Sequence, residues 1–122
     1  MISFEFNNDL DILEVNYEGN ISFDEMMDYG EKITENKLLP RELKTLTDVT
    51  RAKYEIRVKD VPKIIESLKK TLKKYTFIKA AFIQTKSRET ALSILLGNDN
   101  DIPNYHHSVF GSKEAALEWL LN

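Results

Sequence analysis

The chain opens on "ISFEF", residues 2–6, where Ile2, Phe4 and Phe6 alternate with Ser3 and Glu5. A period of two marks a strand with one buried face. After the turn-forming "NNDLD" at 7–11 the alternation resumes, with Leu13, Val15 and Tyr17 set against Glu14, Asn16 and Glu18. Two such runs joined by a short polar turn predict a hairpin. The period then changes. Ser22, with Glu25 three residues on, has the form of a capping box. It opens a helix over about 23–36 with Phe23, Met26, Met27 and Ile33 inward. "LLPRELK" reads as a loop, "TLTDV" (45–49) as a short strand, and the polar stretch 50–59 as an irregular loop.

Helical spacing returns at Ile64, Ile65, Leu68, Leu72 and Tyr75, which fall on one stripe, while Lys63, Lys69, Lys70, Lys73 and Lys74 lie largely off it. Asp60 is placed to cap this helix, and Pro62 sits early in it, where a missing N–H is harmless. "FIKAAFIQ" (77–84) is the most apolar strand and is expected to be the most central. Ser87 is expected to cap a helix running to about Gly97, "NDNDIPNYH" reads as a loop, and "HSVF" as the last strand. Ser112 then caps the final helix.

The resulting order is ββαβαβαβα over a single domain, residues 1–122, at a length usual for one domain. Strands alternating with helices call for an α/β fold: a five-stranded, mostly parallel sheet with right-handed crossovers behind an N-terminal hairpin. Glu5, Glu14, Asn16 and Glu18 on one side of the hairpin do not suit a sheet covered on both sides. Helices are therefore expected mainly on one face, at least at the hairpin edge.

The ending "SVFGSKEAALEWL" carries a resemblance. Val109 and Phe110, a short turn, then Ala116, Leu117, Trp119 and Leu120 resemble the close of SpoIIAA-like domains. The strand "IKAAFI" (78–83) and "LKTLTDV" ending at Asp48 look similar too. These are small bacterial STAS-like domains, related at fold level to the lipid-binding CRAL-TRIO domains. The resemblance implies a βα superhelix of consecutive strands, with Trp119 and Leu120 closing the core and Ala115 and Ala116 allowing close packing on the sheet. It implies no settled activity. One departure stands out: anti-sigma-factor antagonists of this kind carry a phosphorylatable Ser in an Asp-Ser-Ser-Gly-type motif, and this chain reads "DVTRAKYEIRVKDVPK" there, with Thr50 the nearest hydroxyl.

Composition narrows the chemistry. The chain has no Cys, which removes disulfides, thiolate catalysis and Cys-based zinc sites. It shows no signal peptide and no apolar run long enough for a membrane span, so a cytoplasmic protein without an integral membrane segment is expected. Residues 1–50 hold 12 acidic and 4 basic side chains, whereas residues 51–86 hold 11 basic and 3 acidic. The lysine doublets of the second helix form a fan with few aromatics, in a chain of net charge −3, and nucleic acid is not expected as a partner. His106 and His107 are adjacent on a strand and point to opposite faces, and no EF-hand loop surrounds them, so no metal site is expected. Nucleophile elbows and Gly-rich phosphate loops are missing, Ser22, Ser87 and Ser112 sit where helix caps are needed, and no catalytic residue or cofactor is assigned.

The remaining candidate is the segment after Asp48. Ligands of open α/β sheets bind beyond the carboxyl ends of parallel strands. Asp48 ends one such strand, and Thr50, Arg51, Lys53, Tyr54 and Arg57 follow, ahead of a helix N-terminus. Together they suit a small anion, a lipid headgroup or an acidic protein. Asp48 has a second reading, pairing with Arg51 to order the loop. The leading expectation is a non-enzymatic STAS-like binding or regulatory module. The alternatives are a weak lipid or small-anion carrier, and an enzyme using Asp48 and the 50–59 loop as acid–base groups. An exposed first strand and oppositely charged segments would also suit a homodimer.

Overall fold

The computed structural model describes residues 1–86, 88–90 and 102–122. Strand β1 (Ile2–Asn7) and strand β2 (Ile12–Ser22) form the expected antiparallel hairpin, with Phe4 opposite Val15 and Phe6 opposite Leu13. The turn is held by Asn7, whose Oδ1 accepts from the N–H groups of Asp9 (3.0 Å) and Leu10 (3.1 Å). Helix α1 (Phe23–Glu35) starts at Ser22, whose Oγ accepts from the Glu25 N–H at 3.1 Å. The Glu25 carboxylate does not complete the box. It accepts from the Ile2 N–H at 2.7 Å and pairs with the N-terminal ammonium at 3.2 Å, so it ties β1 to α1.

Strand β3 (Glu42–Glu55) differs most from expectation, since it absorbs residues 50–55 of the segment read as an irregular loop. A short 3-10 turn (Val58–Asp60) leads to helix α2 (Val61–Leu72). Asp60 stands at the head of α2, but its carboxylate accepts from the Arg57 N–H at 3.0 Å and makes no side-chain cap to the helix. Tyr75 lies beyond the helix end and donates its hydroxyl to the Ile33 carbonyl at 2.7 Å. Strand β4 (Phe77–Ile83), strand β5 (Tyr105–Phe110) and helix α3 (Lys113–Leu121) complete the chain. The helix expected after Ser87 lies outside the described residues, apart from a helical stretch at 88–90.

The sheet order is β1-β2-β3-β4-β5, antiparallel only at the hairpin. The centre is thus β3, and β4 is one step from the edge. Winding in one direction with right-handed crossovers places the crossover helices on a single face. Helices α1 and α2 accordingly pack together on what we call the front, over Val15, Tyr17, Leu43, Ile78 and Ala80. Helix α3 is no crossover and takes the back, where Ala116 and Leu120 bury fully against Ile12, Leu46, Ala81 and Ile83. Trp119 packs on Phe110 (5.5 Å between ring centroids), and Lys79 lies 4.6 Å from its indole centre while donating to the Trp119 carbonyl at 2.6 Å. Ala116 provides the close approach, and Ala115 is exposed. Helix α3 covers the β3–β4 part of the back, leaving Ser3, Glu5 and Asn16 of the hairpin exposed.

Candidate ligand cavity and the Asp48 bulge

Asp48 is the last β3 residue in register with β4, opposite Ile83, but β3 continues alongside β2 to Glu55. The β2–β3 register slips between Asn16, opposite Asp48, and Glu18, opposite Arg51, so one extra β3 residue is bulged out. Asp48 spans this bulge. Its Oδ1 accepts from the Thr50 N–H at 2.9 Å and from the Thr50 hydroxyl at 2.6 Å. Its partner is therefore Thr50 rather than Arg51.

Beyond the bulge, Ala52, Tyr54 and Ile56 are buried in the front core, while Arg51, Lys53 and Glu55 are exposed. Tyr54 thus faces away from Arg51 and Lys53, and Arg57 lies outside the strand. The six candidates do not converge as the walls of one loop. The polar edge of β3 past its pairing with β4 is closed by side chains: Gln84 Nε2 donates to the Val49 carbonyl (3.1 Å), Lys86 Nζ to Ala52 (3.2 Å) and an Arg88 guanidinium nitrogen to Tyr54 (2.9 Å). On the back, Asp48 shares a polar groove with Ser3, Glu5, Glu14, Asn16 and Lys113.

The front holds a different feature. A cavity of about 130 Å³ lies between the sheet and the α1–α2 pair. Strand alternation and register explain its floor. Leu43, Ile78 and Tyr105 form one cross-strand row, and Thr45, Ala80 and His107 form the next. The second row is low at Ala80, where a methyl group sits between larger neighbours. The roof comes from Met26, Ile33, Ile64 and Leu68. The helices approach closely at Gly30, where an added Cβ would lie 3.3 Å from Ser67 Oγ, and at Thr34, whose hydroxyl lies 2.7 Å from that of Thr71. They are thereby fixed to each other rather than collapsed onto Ala80.

Among the described lining residues the polar side chains are hydroxyls and one imidazole. The Tyr105 hydroxyl lies 2.6 Å from His107 Nδ1, and the His107 ring stacks on Phe82 with centroids 4.4 Å apart. Burial first, then neighbouring phenols, push the hydroxyls of Tyr17, Tyr29 and Tyr105 well above the ordinary phenol range, so all are held neutral. His106, one residue away, is exposed. The sequence signal missed was the alternation in "YHH": the strand begins at Tyr105, two residues earlier than expected, which puts Tyr105 and His107 on the same inward face.

Among the described residues no cluster of three or more His, Cys, Asp or Glu could hold a metal ion, and no helix is long and apolar enough to cross a membrane. No protein-family model matches the chain, and no curated protein matches it in sequence. Among solved structures it is similar to an uncharacterised protein of the DUF3478 family with a SpoIIAA-like fold from Shewanella loihica PV-4. The TM-score is 0.62 at 18% identity, over 98% of this chain and 92% of the other. A sheet of consecutive strands, an N-terminal hairpin and full-length superposition give this chain the SpoIIAA-like fold.

Proposed function

We propose that the protein is a non-enzymatic binding module of the STAS-like kind, and that its ligand enters the front cavity rather than the Asp48 segment. The observation that carries this reading is an apolar space of about 130 Å³ between the sheet and two helices, with no side chain of fixed charge among its described lining residues. A cavity of about 150 Å³ lined by aliphatic and aromatic side chains holds one benzene ring. By that measure the space suits one ring or a short branched chain and is several-fold too small for a lipid acyl chain. A small anion would find no cation among the described lining residues. Asp48 lies on the opposite face with its Oδ1 committed to Thr50, which favours a structural role over acid–base chemistry at this cavity.

The test is a titration of the purified protein with toluene, followed by backbone amide NMR. Shifts concentrated at Thr45, Ala80 and His107 are expected. Ala80→Leu, which fills the low row, is expected to remain folded by circular dichroism and to lose those shifts. Toluene binding unchanged in Ala80→Leu, or none in the wild type, overturns the reading.

A further inference from the structure

We infer that the cavity selects an uncharged, ring-sized ligand bearing one hydroxyl, and that the Tyr105–His107 pair is the group that holds that hydroxyl. The inference rests on the binding reading above and deepens it. Tyr105 and His107 are two apart on β5 and both line the cavity. The 2.6 Å contact between the phenol oxygen and Nδ1 fixes their relative placement, and the stack on Phe82 fixes the imidazole plane. Whichever atom carries the proton, the phenol oxygen keeps hydrogen-bonding capacity: two lone pairs if it donates to Nδ1, its own O–H if it accepts. A ligand hydroxyl can meet either case, since it both donates and accepts. An apolar ring alone leaves that capacity unused.

Charge is selected against by the same walls. A carboxylate or ammonium taken into the cavity would lose its hydration with no fixed counter-charge among the described lining residues to replace it. The described lining is otherwise aliphatic, aromatic and hydroxyl-bearing, which matches a phenol-like molecule: a flat apolar body and one polar corner.

The experiment compares phenol, toluene and benzoate by NMR titration at mildly alkaline pH, where a free imidazole is neutral. Wild type is expected to bind phenol at least as tightly as toluene, although toluene is the more hydrophobic, and to exclude benzoate. Tyr105→Phe is expected to weaken phenol on the order of tenfold, the loss of one hydrogen bond, with toluene unchanged. His107→Phe keeps the stack on Phe82 and the Tyr105 hydroxyl but removes the 2.6 Å contact that places it, so it is expected to lower the phenol preference by less, and it serves if the first variant does not fold. Toluene binding with no preference for phenol, or a preference that survives both variants, overturns the anchor while leaving the cavity reading intact. Benzoate binding as tightly as phenol overturns the charge selection. A wild type that binds none of the three overturns the inference together with the function beneath it.

Discussion

Replacing Asp48 by Ala separates a structural carboxylate from a reactive one. In the structure Asp48 Oδ1 accepts two hydrogen bonds, both from Thr50, at 2.9 and 2.6 Å, across a bulge in the central strand. Hydrogen bonds to a charged acceptor contribute about 1.5–3 kcal/mol each when buried. Both residues are only partly buried, so water replaces much of what is lost. A total of about 2 kcal/mol is expected, which for a domain of this size lowers the melting temperature by roughly 8 °C. Urea unfolding followed by circular dichroism should show a lower midpoint with unchanged slope. Asp48→Asn keeps a carbonyl acceptor at the same place and should lose less than half as much. Thr50→Val removes only the hydroxyl bond, and the Asp48→Ala/Thr50→Val double variant should be less destabilised than the sum of the singles. A loss below about 0.5 kcal/mol in Asp48→Ala would refute the argument that this carboxylate holds the bulge, and would return attention to chemistry in the back groove.

Two further outcomes follow from the tyrosines and from the hairpin. Tyr17, Tyr29 and Tyr105 stay protonated in the fold through the range where unfolded phenols ionise, so above pH 10 the unfolded chain binds fewer protons and stability falls as pH rises. The slope should approach about 4 kcal/mol per pH unit for the three, and is checked by urea midpoints against pH alongside tyrosinate absorbance; a flat profile through that range would refute their burial. On the back of the hairpin Glu5 stands directly opposite Glu14, a like-charge cross-strand pair, and Glu5→Lys should stabilise the protein by roughly 0.2–1 kcal/mol at low salt, with the gain shrinking as salt is added.

The elements that could be read from sequence are those whose periodicity agrees with their local chemistry. The hairpin and α1 combine an apolar period with a turn or cap, Asn7 and Ser22, while β4 is legible as a continuous apolar run and α3 from its Ser112 cap. The charged half of β3 was not legible as strand for a specific reason. The bulge shifts the period of two between Val49 and Ala52, so the buried set Leu43, Thr45, Thr47 does not continue in phase into Ala52, Tyr54, Ile56. The intervening Arg51, Lys53 and Glu55 then read as loop, although they are only the solvated face of a strand whose back α3 does not reach. Asp48 reads in sequence as the end of a strand, and it does mark the point where β4 stops pairing. What the sequence could not show is that β2 carries β3 a further seven residues.

The cavity was illegible for a different reason: no element builds it alone. Ala80 in an apolar strand, Thr45 in another and Gly30 in a helix are each unremarkable in sequence, and only the register that aligns Thr45 with Ala80 and Ala80 with His107 makes a low row across the sheet. The helix pair then has to span that row instead of sinking into it. Gly30 against Ser67 and the Thr34–Thr71 hydroxyl contact join α1 to α2, so their spacing is set by each other as much as by the sheet. One-way winding makes this division of labour available. With α1 and α2 together on the front and α3 closing the back over Leu46 and Ala81, the sheet is braced from behind. The front can then leave space above Ala80 unfilled, and the forgone packing there is the free energy a ring-sized ligand recovers on entering.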